Sequence, residues 1–251
     1  MGYTGCMKWP RRALVVLIAL FLPVFLVTLS LRIALSSPRL YTYGFDHYDV
    51  VDVTGIERPE LVKGAKGIIA YFNSNQEPLN VRVIINGREQ PLFNQREIDH
   101  MADVKGLVRG VYTWQWVSLG IVLACAAGGL AWQRRRFLRP LAWGVFGGSA
   151  ITIGGLLIVG AASLVGFDRL FLEFHLLSFS NDFWQLDPLR DHLVQMFPEE
   201  FFRDATLFVA FMALSAALVL GTAAGVYLWL TRKRKAKNAL VKEQSSAKSS
   251  P

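Results

Sequence analysis

Cysteine is scarce in this chain, with two among 251 residues. Cys6 precedes the first long apolar stretch and Cys125 lies inside the second. Thiols so placed cannot readily meet within disulfide reach, so no disulfide framework is expected. Cys6 lacks the small-residue apolar run that precedes a lipid-modified cysteine, and it reads as a plain cytoplasmic thiol. Familiar catalytic signatures are missing too. There is no GxSxG elbow, HExxH, CxxC, Walker loop or GxGxxG. Serine hydrolases, zinc proteases and ATPases all lose weight on that ground. Formal charge is almost absent from the apolar stretches. Arg32, near the end of the first, is the exception and is expected to snorkel outward. An ion-coupled transporter needs ionisable groups at depth, so that class loses weight as well. No internal repeat is present.

Apolar residues are what the chain has in quantity, at 53% of the total. A bilayer crossing takes about 20 of them in a row. Four stretches qualify: Ala13–Leu35, Thr113–Trp132, Leu141–Val165 and Ala205–Leu230. The first is longer than the apolar region of a signal peptide, about 7–15 residues. A retained anchor is favoured, although small residues near Ala34-Leu35-Ser36 offer a cleavage point. The prediction is a mainly α membrane protein, a four-transmembrane-helix bundle with a small extracellular α/β cap and an interfacial helical segment.

The net charge of +8 is not nucleic-acid affinity, because its distribution follows the spans. Lys8, Arg11 and Arg12 precede the first; Arg134, Arg135, Arg136 and Arg139 lie between the second and third. Seven lysines and arginines follow the fourth, against Glu243 alone. Residues 166–204 instead hold three arginines and eight carboxylates. Short basic segments mark the cytoplasmic side. Residues 1–12, 133–140 and 231–251 are therefore predicted inside, and 36–112 and 166–204 outside. The basic tail can touch anionic phospholipid headgroups, and its polar end from Lys237 is predicted to be disordered.

Within 36–112, Tyr41, Tyr43, Phe45 and Tyr48 alternate with polar residues and suggest strand or extended chain. Pro59–Phe72 suggests a short helix. Leu79–Ile85 followed by Asn86-Gly87 signals a hairpin. A cap of this size carries only a modest core and is expected to lean on the spans. Asn94 and Glu97 form a capping box for a helix running towards the second span. On that helix Arg96, His100, Asp103 and Leu107 share a face. In 166–204, His175, Phe179 and Asp182 are expected on one helical face. Asp187 with Pro188 is expected to start another helix, with Leu189, Leu193 and Met196 as its apolar stripe. Pro198 starts a further turn, with Glu199 and Glu200 at its positive end.

His100 and His175 are the leading candidates for chemistry. A lone boundary histidine is most simply an interfacial residue. Here two lie at the same depth at the mouth of the bundle, each among Asn, Asp, Arg or Glu. Histidine transfers protons near neutrality. Arg96, Asp103, Asn181, Asp182 and Trp184 are candidate substrate-binding or positioning groups. Asn181 and Asp182 can equally cap a turn. His47, among tyrosines, and His192, beside an apolar stripe, read as ordinary surface residues. The external histidines and carboxylates come from different segments without metal-ligand spacing. No metal and no cofactor are expected.

Three sets of residues carry a family resemblance: Leu31-Arg32 with Leu35-Ser36-Ser37-Pro38; Phe93-Asn94, Arg96-Glu97 and His100–Lys105; and Phe174-His175, Phe179, Asn181-Asp182, Trp184, Leu186–Pro188 and Phe197–Phe202. They resemble the lipoprotein intramolecular transacylases of Gram-positive bacteria. The resemblance implies a multi-pass cell-membrane enzyme, active on its extracellular side, acting on diacylated bacterial lipoproteins. The sn-2 acyl chain of the N-terminal S-diacylglyceryl-cysteine would move to the α-amine of that cysteine, leaving a lyso-form lipoprotein. His100 and His175 would divide the acid and base roles, either way round. A monomer in phospholipid is expected, with no nucleic-acid partner. Two other readings stand beside this one: another membrane acyltransferase or lipid hydrolase with the same site, and a non-catalytic lipoprotein sensor or chaperone.

Overall fold

The computed structural model describes the backbone of residues 8–248 and the side chains of 10–164 and 166–234. Cys6 lies outside the described residues. The chain is mainly helical. In order come α1 (Lys8–Leu35), α2 (Pro38–His47), α3 (Val50–Thr54), α4 (Arg58–Phe72), β1 (Arg82–Ile85), β2 (Arg88–Pro91) and α5 (Gln95–Gln133). A 3₁₀ turn (Arg134–Phe137) leads to α6 (Leu138–Val165), α7 (Phe167–Ser178), α8 (His192–Met196) and α9 (Glu199–Lys248).

Among the described residues, three segments are long and apolar enough to cross a membrane: Pro10–Leu35, Gln95–Leu164 and Glu199–Arg234. The second contains both α5 and α6, divided by the basic turn, where Arg134 takes φ 50°. Phe137 is fully buried there against Gly129, at which a Cβ would come within 2.2 Å of its ring. That contact folds the turn back on α5.

The chain divides into two compact units. One comprises the residues up to Leu26, Trp116–Leu156 and the chain from Ala213. Its helices meet through small residues. A Cβ on Gly144 would lie 3.1 Å from Ile18, and one on Gly148 would lie 3.0 Å from Leu22. This spacing of four lets α6 approach α1 closely, as helices do where lipid removes the hydrophobic drive for association. Leu123, Trp143 and Val219 are exposed on this unit, an outer face that suits hydrocarbon.

The other unit comprises Val27–Gln115 and Leu157–Met212. It joins residues 36–112, read from the sequence as a small α/β cap, to residues of the 166–204 segment. Phe45, Ile56, Leu61, Ile68, Val83 and Leu92 share one core with Leu193, Met196, Phe197 and Phe201. The two predicted loops therefore bury a common apolar interior.

Several elements follow the sequence reading. α4 forms as expected. β1 and β2 pair antiparallel across Asn86-Gly87, with φ 53° and 75° as this turn type requires. The tyrosine segment does not form a strand. Ser37-Pro38 starts α2, and Tyr41 and Phe45 fall one helical turn apart and are buried. Alternation and helical spacing coexist in this short run, and tertiary contacts choose the helix. Gly44 lets α2 approach the Phe201 ring, which a Cβ would meet at 2.6 Å. Tyr43 and Tyr48 both donate to Asp204 Oδ2, at 3.0 and 2.8 Å.

One helix end and one helix start also move. α7 ends at Ser178, so Phe179 is extended and Asp182 lies in a loop, not on the His175 face. Asp187 and Pro188 form a turn in which Asp187 accepts from Leu189 N at 2.9 Å. α8 starts four residues later, behind Asp191. Leu189 is exposed while Leu193 and Met196 are buried. At the other end, α9 runs to Lys248, where the sequence predicts disorder from Lys237. The tail is rich in Lys and Ala, which propagate a helix once it is begun.

Candidate active site

The α5 start is built by its capping box. Asn94 Oδ1 accepts from Glu97 N at 3.1 Å, and Glu97 Oε2 accepts from Asn94 N at 2.7 Å. Glu97 does more than the sequence indicates. It is 1% exposed, and its second oxygen accepts from Leu193 N at 2.6 Å. Asn94 Nδ2 meanwhile donates to Asp191 Oδ1 at 2.7 Å, and Asp191 Oδ2 accepts from Asp187 N at 2.6 Å. Burial holds the Glu97 carboxyl above its ordinary range, opposed by these hydrogen bonds. Asp191 escaped the sequence reading, because nothing local links it to a residue 97 positions away.

Glu97→Ala strands two backbone donors. A lost cap costs about 1 kcal/mol, and an unmet buried donor about 1–3 kcal/mol. A loss of about 2–4 kcal/mol is expected in equilibrium unfolding, with faster amide exchange at 187–193. Unchanged exchange there would show that Glu97 does not hold the segment.

His100 follows one turn beyond the cap, before the apolar stretch that begins at Thr113. His175 stands in the last turn of α7. The two rings lie 6.2 Å apart between centroids, inclined at 30°. Both are buried, at 7% and 8% exposed. Phe179 presents its ring to the His100 ring at 5.1 Å, and Trp184 lies 5.1 Å from His175. His175 Nδ1 is 2.7 Å from the Phe171 carbonyl. A carbonyl only accepts, so this nitrogen carries the proton and Nε2 is left as the basic atom. His100 Nδ1 is buried with no hydrogen-bond partner among the described residues.

The remaining predicted residues fasten the 179–184 loop to α5. Arg96 Nη2 donates to the Asp182 carbonyl. Asn181 Nδ2 donates to Asp103 Oδ2 at 2.8 Å, while its Oδ1 accepts from Phe183 N at 3.1 Å. The shared face of Arg96, His100 and Asp103 is thus turned to this loop. The Asp182 side chain is exposed; its backbone is what Arg96 holds. His47 stacks on Tyr43 at 5.1 Å, and His192 Nδ1 lies 3.1 Å from Gln195 Oε1. Neither joins the pair.

Both histidines line a cavity of about 620 Å³, whose walls include Leu35, Phe72, Val108, Phe174 and Phe197. None of Arg96, Asp103, Asn181, Asp182 and Trp184 lines it. Burial pushes His100 down to about 4, helped by the charge of His175 and opposed by Asp103. His100 is therefore neutral at pH 7. Unfolded, it takes a proton near 6.5. Between those values the unfolded chain holds more protons, so stability falls as pH drops through the window. The full loss is on the order of 3 kcal/mol. Thermal unfolding from pH 7 to 4 should show a steeper fall for the wild type than for His100→Gln. Parallel curves would refute the assignment.

A family model described as lipoprotein intramolecular transacylase Lit matches residues 16–202. The chain belongs to the Lit family. The match spans both histidines and every other predicted site residue. At the family level this is an acyltransferase of lipoproteins. Solved structures of Lit from Bacillus cereus share the fold. One is a membrane-integral structure with TM-score 0.72 and 20% identity, covering 90% of this chain and 97% of that one. Another, carrying a histidine-to-arginine substitution, gives TM-score 0.69 and 20% identity over 90% and 94%. A protein of Aquifex aeolicus described as uncharacterized is 28% identical over 222 residues, covering 84% of this chain and 94% of its own.

Proposed function

We propose that the chain is a lipoprotein intramolecular transacylase that moves the sn-2 acyl chain of an S-diacylglyceryl-cysteine to its own α-amine. The observation that carries this reading is the pair of buried histidines, 6.2 Å apart between ring centroids, on the wall of a largely apolar cavity. Such a cavity suits acyl chains, and the histidines are its proton-transfer groups.

In this mechanism His175 Nε2 takes a proton from the substrate amine, because the Phe171 carbonyl holds the opposite nitrogen protonated. The amine nitrogen bonds to the sn-2 ester carbonyl carbon, whose oxygen takes up negative charge. His100, neutral, donates to that oxyanion, a contact worth about 3 kcal/mol when well placed. The bond from carbon to glyceryl oxygen then breaks, and the proton held by His175 passes to that oxygen. An amide and a free sn-2 hydroxyl result, with no net proton change and no cofactor. Arg96 and the Asn181–Asp103 pair keep Phe179 and Trp184 against the histidines. Binding the bent conformer supplies the remaining advantage, on the order of 7–11 kcal/mol in favourable cases.

The same proposal includes the membrane placement. α1, α5, α6 and α9 each cross, both termini lie in the cytoplasm, and the histidines act on the extracellular side, as the basic segments suggest. Single cysteines at Asn86 and Lys235 in a cysteine-free background should react from opposite sides of the membrane. Reaction of both from outside would overturn the topology.

Product analysis separates the chemistry. Transacylation leaves the lipopeptide mass unchanged, blocks its amine and frees no fatty acid. Hydrolysis lowers the mass and releases fatty acid, which would move the chain to the lipid hydrolases. Absence of both from active membranes would favour a lipoprotein-binding sensor.

A further inference from the structure

The cavity that holds the two histidines is a trough with two different ends. On α5 its wall is a stripe of His100, Val104, Leu107 and Val111, spaced as one face of a helix. On α9 it is a stripe of Phe201, Ala205 and Val209. Both histidines belong to one end, because His100 opens the α5 stripe and His175 stands 6.2 Å from it. The other end is apolar and is formed by Leu31, Val111 and Val209. Leu31 and Val209 lie within the apolar runs of α1 and α9, so this end points to the membrane. One helical turn beyond Val111 the α5 stripe meets Gln115, which is 5% exposed and accepts from Arg32 Nη1 at 3.3 Å. That polar pair ends the apolar wall. Away from the histidines, Tyr41 and Thr206 are the polar residues of the lining, and the Tyr41 hydroxyl donates to the Leu35 carbonyl at 3.0 Å.

The dimensions of the trough indicate what fills it. Val111 lies eleven residues beyond His100, about 16 Å along the axis at the rise of an α-helix. An acyl chain in a bilayer reaches from headgroup to midplane, about 15 Å, half of the hydrocarbon core. The trough is therefore as long as one such chain. Its volume of about 620 Å³ is that of a site for a single small ligand, a class running from about 300 to 1,000 Å³. A diacylated lipoprotein brings two chains and a peptide. One side of the trough is open, since Leu107 and Phe174 line it and are yet 37% and 50% exposed. An apolar rim of that kind lets a second chain stay in lipid.

We propose that the trough is a ruler for the chain being transferred: it takes the sn-2 acyl chain alone, with the ester at the histidines and the methyl end at Val111 and Val209, while the sn-1 chain stays outside the rim. The inference rests on the transacylase reading, because that reading puts the sn-2 carbonyl between His100 and His175. It adds a specificity that the histidines do not explain, in which the length of the sn-2 chain matters and that of the sn-1 chain does not. A short sn-2 chain leaves atoms of the trough without contacts. A chain longer than the trough meets the Arg32–Gln115 pair, whose polar groups an apolar chain cannot satisfy.

The test uses two positional isomers of an α-N-acetylated diacylated lipopeptide. One carries palmitoyl at sn-2 and octanoyl at sn-1, the other carries them reversed, and one of the two is deuterated. Both isomers contain the same chains and partition alike into detergent, so only the placement differs. An equimolar pair competes for the full chain in detergent, and native mass spectrometry reads the bound ratio. The wild type is expected to retain the sn-2 palmitoyl isomer at least about tenfold over the other, the scale of leaving an apolar cavity partly empty. Val111→Phe closes the far end and should lower that ratio several-fold. Val104→Phe, two turns nearer the histidines, should invert it, because an overfilled trough expels the long chain. Each ratio is read on one preparation, so a smaller folded fraction leaves it unchanged. Equal retention of the two isomers by the wild type would overturn the ruler, and so would one ratio shared by all three proteins. A wild-type preference for palmitoyl at sn-1 would give the trough to the other chain and refute the assignment. Binding and transfer are scored apart. Normal amide formation from the free-amine peptide without the binding preference would sink the ruler alone; the preference without amide formation would keep the ruler and sink the transacylase reading.

Discussion

His100→Ala and His175→Ala are each expected to lower conversion of a diacylated lipopeptide by about 10²–10⁴-fold, the range of general acid–base catalysis. The two rings share one cavity wall but have different surroundings. His175 has its tautomer set by the Phe171 carbonyl at 2.7 Å, so its alanine variant loses the base. His100 has an unpartnered buried Nδ1 and is held neutral by burial. Its alanine variant loses the donor to the oxyanion and, with it, a polar atom that costs stability in the empty cavity. Thermal stability near that of the wild type at pH 7 should therefore accompany the lost activity. The double variant should be little worse than the poorer single one, because groups acting in one proton path are not additive. Turnover within threefold of wild type in either folded variant would remove that histidine from the reaction.

A diacylated lipopeptide with a free α-amine should be converted, and its α-N-acetylated counterpart should not, with at least about 10³-fold between them. Acetylation takes away the nucleophile and leaves the acyl chains that hold the substrate in the cavity. Acetylated peptide should accordingly inhibit competitively. Mixing two isotopically distinct lipopeptides is the sharper measurement. An intramolecular reaction keeps each acyl chain on its own glyceryl-cysteine, since amine and ester are delivered together. Crossed products in quantity would show transfer through a second lipid or an acyl-enzyme, and the proposed reaction would fall.

The capping box at Asn94 and Glu97, the hairpin at Asn86-Gly87 and the start of α9 after Pro198 were legible because each depends on residues within a turn of one another. The family was legible for a related reason: its recognisable residues cluster in segments such as His100–Lys105 and Phe197–Phe202. Tyr41–Tyr48 was not legible, since a run this short satisfies strand and helix periodicity together. Its helix is chosen by Phe201 and Asp204, more than 150 residues away. The start of α8 was misplaced for the same reason: Asp187 looks like a cap locally, while Glu97 and Asn94 hold the segment at Asp191 and Leu193.

The sequence by itself determined that this chain is apolar enough for membranes, that its charge is unevenly spread, and that two histidines stand beside polar residues near apolar runs. These are properties of composition and short-range order, which survive without any fold. Only the tertiary structure decided that the rings stand 6.2 Å apart, that the Phe171 carbonyl selects one tautomer, and that Arg96 and Asn181 clamp a loop instead of lining the cavity. The histidine pairing and the Arg96 and Asn181 contacts join α5 to a segment some 75 to 86 residues further on, and one-dimensional spacing carries no information about that meeting. It is set by the apolar interior the two segments bury in common.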